Sequence, residues 1–391
     1  MFEDHPDVAK LAGPDRRRLG LAAVPLVIGF VLSIGLALLW PGEVTVDLSE
    51  FGVTDDVFRA EVSEVDERAC SYAADQDCVA VTFTLLDGPT PGTIDSKEFG
   101  IVPGTPEFEV GDRVLLGYNA EAEATQQYQF ADFERRWVLW LVGAIFAAAV
   151  VGLGRMRGLA ALFGLSASIG VLLWFIVPAI LNGSNPVLVA TVGAGTIAFL
   201  ALYLAHGFNR LTHVAVIGTF SALVLTVALS ALTVAAAGFT GFSAEDSFII
   251  SFVGNVDVRG LVLAGIVLGA LGALDDVTVT QASAVWEVRR ANPDLSRADL
   301  YAAGLRVGRD HIASTVNTLL LAYAGASMPL LLRFALSNQP AGIVLNSEII
   351  SVEVVRTLVG SIGLVSAVPI TTWLAAAVAH RTPPHELSHG H

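Results

Sequence analysis

Apolar runs of about 20 residues, long enough to cross a ~30 Å hydrocarbon layer as a helix, recur along the chain between short polar segments. Eight spans are predicted: Leu19 to Trp40, Trp137 to Leu153, Leu159 to Leu181, Pro186 to His206, His213 to Ala237, Gly260 to Ser283, His311 to Phe334 and Val354 to Ala379. Between the first and second the pattern changes to period two. VFRAEVSEV (from Val57), CVAVTFTLL, SKEFGIV, DRVLLGYN and YQFADF alternate apolar with polar positions and are parted by turn residues such as DGPTPG and EVGD. Five strands in ~80 residues suit a small barrel of the oligonucleotide/oligosaccharide-binding type or a similar sandwich. The expected architecture is an all-α polytopic bundle of eight transmembrane helices with a small all-β extracytoplasmic domain after the first helix. In residues, 1–18 form the N-terminus, 19–40 the first helix, 41–136 the β domain, 137–379 a seven-helix domain with a connector at 284–310, and 380–391 a tail.

Of 391 residues 54% are hydrophobic and only 15% charged, against about a quarter charged in soluble chains. The net charge of -15 falls wholly within Pro41 to Arg136, where 21 acidic residues face 6 basic ones; elsewhere 16 face 16. No basic face remains for nucleic acid. The acidic domain is either a solubility device or a surface that attracts cations or a basic protein partner.

Lys and Arg near span ends are held on the cytoplasmic side. Arg16, Arg17 and Arg18, then Arg155 and Arg157, Arg210, and finally Arg289, Arg290, Arg297, Arg306 and Arg309 occupy alternate loops. Both termini are therefore expected in the cytoplasm and the β domain outside. Cys70 and Cys78, the only cysteines, lie in that exported domain, where a disulfide suits the oxidising compartment; two free thiols are the alternative.

In the sixth predicted span two carboxylates, Asp275 and Asp276, interrupt the run. A charge in a membrane segment costs roughly 2.5 to 3.5 kcal/mol on insertion scales, so it needs a partner, a water path or a proton. Gly265, Gly269, Gly272, Asp276, Thr280, Ser283 and Glu287 recur every three or four residues and share one helical face. The glycines invite close approach of another helix, and Asp276 ranks above Asp275 as the inward group. The seventh span carries Asp310, His311, Ser314, Thr315, Asn317 and Thr318 in its cytoplasmic half. Asp276 at ~12 Å and Asn317 at ~9 Å from the same boundary are expected to meet. Asp276 is then either interhelical glue or a group that gains and loses a proton. In the connector, Pro293 breaks the pattern and Ser296 with Asp299 resembles a capping box. The helix after it either lies on the inner membrane surface or is an ordinary linker.

The runs GALGALDDVTVTQASAVWEV and GLRVGRDHIASTVNTLLLAYAGASMPLLL resemble the signature of the YibE/F family of bacterial membrane proteins. That resemblance covers roughly Ala60 to Ala379 and is most specific from Gly269 to Met328. It implies that Asp276 matches the family's intramembrane Asp, whereas Asp275 stands where an apolar neighbour is usual. The G-R-D and N-T-L-x-L-A-Y elements match Gly308, Arg309, Asp310 and Asn317, Thr318, Leu319, Leu321, Ala322, Tyr323. A bacterial plasma-membrane location and transport are what the family implies. A shorter likeness, by analogy, is to SecF and RND-type exporters: a first span and outer domain, then a span with Asp followed by V-x-V, an amphipathic connector and another polar span, in the same order and orientation.

The tail HELSH, His385 to His389, matches a zinc-protease pattern but follows Pro383 and Pro384 and lacks a third ligand. No P-loop, dinucleotide fingerprint, nucleophile elbow or cysteine metal cluster is present. The expected function is proton-coupled secondary transport of a small solute or ion, with no enzyme activity, cofactor or metal. The alternative is a non-transporting assembly or regulatory protein whose outer domain binds a partner.

Overall fold

The period-two segments form five antiparallel strands: β1 (Asp56–Cys70), β2 (Ala73–Leu85), β3 (Ile94–Gly100), β4 (Arg113–Tyr118) and β5 (Tyr128–Phe133), in the order β3-β2-β1-β4-β5. The computed structural model describes residues 16–42, 56–120, 122–123, 126–242, 256–337 and 339–383. The chain divides into two compact units, Thr45–Ala149 and Met1–Val44 with Val150–His391. The HELSH tail lies outside the described residues.

In the β unit, Ala60, Val62, Val81, Phe83, Leu85, Val114 and Leu116 point inward from three strands. Val62 and Val65 are three residues apart, a spacing that would put them on opposite faces of a regular strand. A bulge between Val62 and Glu64 restores the alternation, and Val65 packs on the same core. The edge strands β3 and β5 are not laddered to each other among the described residues. They meet through rings instead. Phe108 lies 4.9 Å from Phe99 of β3 and 5.1 Å from Phe130 of β5, and those two are 5.9 Å apart. The result is a half-barrel plugged by aromatics, which keeps the small all-β domain expected, as an open half-barrel. Cys70 and Cys78 are disulfide-bonded with Cα atoms 4.9 Å apart, stapling the β1–β2 turn. Glu98 ties β3 to that turn, accepting from Ser71 N and Oγ and from Arg68.

The other unit is helical: α1 (Arg16–Leu39), α2 (Arg136–Val171, which begins in the β unit), a π turn (Leu172–Ile176), α3 (Val177–Leu181), α4 (Pro186–His206), α5 (Arg210–Ala237), α6 (Val258–Ala291), α7 (Arg297–Ala326), α8 (Met328–Ala335), α9 (Ala341–Asn346) and α10 (Glu348–Arg381). Side-chain caps set several starts: Asn185 accepts from the amides of Val187 and Leu188, Asn209 from Thr212, and Asp257 from Gly260. The Ser296–Asp299 box is present, Ser296 Oγ accepting from the Asp299 amide at 3.2 Å. Gly238, at φ 68, ends α5 in the left-handed region.

Six helices are long and apolar enough to cross a membrane, or seven if α7 and α8, bent by 66°, count as one span. This is a multi-pass membrane protein. Eight spans were expected because residues 137–181 read as two. The structure keeps Arg136–Leu181 helical through 46 residues, except at Arg155, the one non-glycine residue with positive φ among those described. There the chain doubles back, since a Cβ on Gly158 would lie 2.2 Å from Val150 O, whereas eight residues of straight helix span ~12 Å. Of the two readings of the connector helix, the structure bears on one. α7 runs unbroken from Arg297 to Ala326, so a surface-lying helix separate from the seventh predicted span is not formed, and the linker helix and the start of that span are one rod.

The centre of the bundle is α5, α6 and α10. Three buried hydroxyls there satisfy themselves on their own helices, Thr226 on Ala222 O, Ser230 on Thr226 O and Thr372 on Val368 O, whereas that of Thr371 has no partner. Thr219 and Thr278 also bond across α5 and α6 at 2.6 Å. Glycines set the closest crossing. A Cβ on Gly218 of α5 would fall 2.3 Å from Thr371 Oγ1 of α10, and one on Gly363 of α10 would fall 2.2 Å from Thr226 Oγ1 of α5.

Candidate functional site

Asp275 and Asp276 are adjacent on α6 and so about 100 degrees apart, yet both carboxylates open on the same space. A cavity of about 720 Å³ is lined by α2 (Ala161, Gly164, Leu165, Ser168, Ile169), α4 (Ile197, Ala201, Ala205, His206) and α6 (Leu268, Leu271, Gly272, Asp275, Asp276, Val279, Thr280). Gly272 has nothing within 4 Å of its Cβ position, so it contributes volume. The polar groups on the wall are the two aspartates, Ser168, Thr280 and His206; no lysine or arginine lines it. The carboxyl pair thus faces a mostly apolar cavity with no lysine or arginine on its walls.

The inward ranking is reversed. Asp276 is exposed to the cavity, whereas Asp275 is half-buried and its Oδ1 is enclosed without a hydrogen-bond partner. The expected meeting of Asp276 with Asn317 or Thr318 does not occur. Neither Asp276 nor Asn317 makes a side-chain hydrogen bond among the described residues, and Thr318 donates to Ser314 O of its own helix. The residue that joins α6 to α7 is Gln281, about 140 degrees round from Asp276. Its Nε2 donates at 2.7 Å to Gly304 O of α7 and at 2.7 Å to Thr372 Oγ1 of α10. Gly304 and Gly308 make room: a Cβ on either would strike Val285, Thr372, Val368 or Gln281 within 2.5 to 2.8 Å.

The other sequence-selected residues are dispersed. Ser283 is half-buried; Asp310, Ser314, Asn317 and Thr318 are exposed on α7; His311 is half-buried with Nε2 enclosed and unpartnered. Gly265 and Gly269 do not seat a helix backbone. They accommodate side chains, Arg356 at 3.1 Å and the Tyr323 hydroxyl respectively, and Arg356 is paired with Glu353 at 2.8 Å. Arg289 was read only as a topological marker, but it is buried and clamps the α6–α7 turn, donating to Pro293 O and Leu295 O and to His380 O of α10. Gln281 and Arg289 carried one available signal, polar residues on the otherwise apolar stripe of α6.

A family model described as YibE/F-like protein matches residues 142–381. The chain belongs to the YibE/F family. No curated protein and no solved structure matches it. The matched segment holds the whole wall of the cavity, Ala161 to Thr280, together with Gln281, Arg289 and α7. The β half-barrel lies before it, so the family assignment rests on the helical unit alone.

Proposed function

We propose that this YibE/F-family protein is a secondary transporter of the bacterial plasma membrane, moving a small solute or ion with proton coupling through Asp275 and Asp276. The observation that carries the reading is the cavity itself, which reaches both carboxylates and places no lysine or arginine beside them. A carboxylate retained at membrane depth without a counter-ion needs water or a proton, and a cavity supplies access for both. In this reading the chain crosses eight times, the Arg155 turn separating two spans, with both termini in the cytoplasm. The cavity then opens toward the basic side, since its wall runs to His206 and Ala161, near the turns that hold Arg210 and Arg157. The protein is not an enzyme and uses no cofactor.

The test is flux in proteoliposomes loaded with a pH-sensitive dye, the wild type set beside Asp275→Asn and Asp276→Asn across a panel of cations, anions and neutral solutes. Proton movement driven by a solute gradient, lost in either variant, is expected. Solute-independent silence of the wild type would favour the second reading, an assembly or regulatory protein. The open edges β3 and β5 of an acidic half-barrel suit strand addition by a basic partner.

A further inference from the structure

α7 has two faces of opposite character. Gly304, Gly308, Ile312 and Val316 face the bundle. Arg306, Asp310, Ala313, Asn317 and Leu320 lie on the other side, spaced 4, 3, 4 and 3, and all five are exposed. Asn317 is nine residues from Gly308, about half a turn away at 100 degrees per residue, so its amide points directly out of its own bundle. That spacing is the a/d repeat of a coiled coil, with the asparagine at an a position, where a single polar residue selects register and a two-stranded state. Leu320 and Leu321 beside it are 49% and 59% exposed. Among the described residues Asn317 makes no side-chain hydrogen bond, and Arg306 and Asp310 make no ion pair.

The stripe is complementary to itself. A carboxamide both donates and accepts, so it can bond its own copy across a two-fold axis. Arg306 and Asp310, opposite in charge and one turn apart, can each pair with the other in a second chain, and Ala313 between them lets the backbones approach. A hydrogen-bonding amide set among exposed leucines is also poorly suited to lipid.

We propose that α7 is a homodimer interface: two copies pack in parallel about a two-fold axis, Asn317 against Asn317, with Asp310 of each chain facing Arg306 of the other. Because the two native cysteines are bonded to each other and no free cysteine is present among the described residues, single introduced cysteines report without background. Ala313→Cys, Asn317→Cys and Leu320→Cys should form disulfide-linked dimers when oxidised in native membranes. Thr315→Cys and Ala322→Cys on the same helix, and Leu173→Cys on the π turn, should not. In detergent, Arg306→Asp and Asp310→Arg should each lower the dimer fraction roughly fivefold, because both symmetry-related pairs change at once, and the double variant should restore it. Equal cross-linking at all six positions would overturn the proposal. So would monomeric Asn317→Cys that reacts with a membrane-impermeant maleimide, which makes the stripe a water-lined face, or cross-links from Asn317→Cys to another protein alone. A double variant less dimeric than either single one would also overturn it.

Discussion

Gly218→Ala places a methyl group where α5 and α10 cross most closely. The new Cβ would stand 2.3 Å from Thr371 Oγ1, 3.2 Å from its Cβ and 3.3 Å from its Cγ2, against an ordinary carbon contact of ~3.5–4.0 Å. Rotating Thr371 does not relieve the contact, because a β-branched side chain on a helix has few χ1 choices and both branches are near. The helices must separate, and overpacking of this kind costs about 1–3 kcal/mol. Thr371 itself is buried and its hydroxyl has no partner. Thr371→Ala therefore breaks no hydrogen bond and removes a desolvated polar atom, whose unmet cost is about 1–3 kcal/mol, against ~0.8 kcal/mol for the lost methyl. It should be neutral to stabilising. With Oγ1 and Cγ2 gone, only the 3.2 Å contact to Cβ remains, so Gly218→Ala should cost less than half as much in that background. The coupling is then about 1–2 kcal/mol, well above the ~0.3–0.5 kcal/mol scatter of independent sites. Unfolding of the four variants by SDS titration, followed by helical circular dichroism in mixed micelles, measures it. Additive costs would refute the packing described for α5 and α10.

Gln281→Leu removes two hydrogen bonds that hold α6 to α7 and α10; at ~0.6 kcal/mol on average and up to ~1.7 kcal/mol per membrane interaction, the same titration should show a loss of about 1–3 kcal/mol. In the β unit, the Ser71 hydroxyl, the Ser71 amide and then Arg68 hold the Glu98 carboxyl at about 2 instead of its ordinary 4.5. The folded unit therefore binds this proton less readily than the unfolded chain. Its contribution is complete above the ordinary value and is lost as pH falls through about 2. Hydrogen exchange at the β1–β2 turn should accordingly lose protection toward low pH in the wild type and be weaker, with a flatter pH response, in Glu98→Gln; identical profiles would contradict the assignment.

How much could be read from the chain depended on how local the cause was. The five strands were legible because alternation such as VFRAEVSEV has one explanation, a half-buried pleat. The bulge went unread, although the three-residue step from Val62 to Val65 carries its signal. Closure was not, since it depends on Phe108 reaching both Phe99 and Phe130 across loops of no fixed pattern. On α6 the grouping of Gly272, Asp276 and Thr280 on one face holds, and all three line the cavity. Which neighbour that face meets was a different matter. Antiparallel succession suggested α7, but the glycines that admit α7 are Gly304 and Gly308 on α7 itself, and they select Gln281 and Val285. The acidic face was left to α2 and α4. Two apolar runs at 137–153 and 159–181 were visible; the positive φ that parts them was not, because it falls on Arg155 rather than on the neighbouring Gly154 or Gly158.

The central claim is that Asp275 and Asp276 face water rather than lipid or packed protein. Gly272→Cys tests it most directly: the position lines the same cavity, has free space for a thiol, and meets no free native cysteine among the described residues. A charged thiol reagent applied to sealed vesicles of each orientation should label it quickly in inside-out vesicles and leave right-side-out ones unreacted. If the thiol stays unlabelled in both, although reactive after solubilisation in denaturant, the cavity is dry and the proton-coupled account fails.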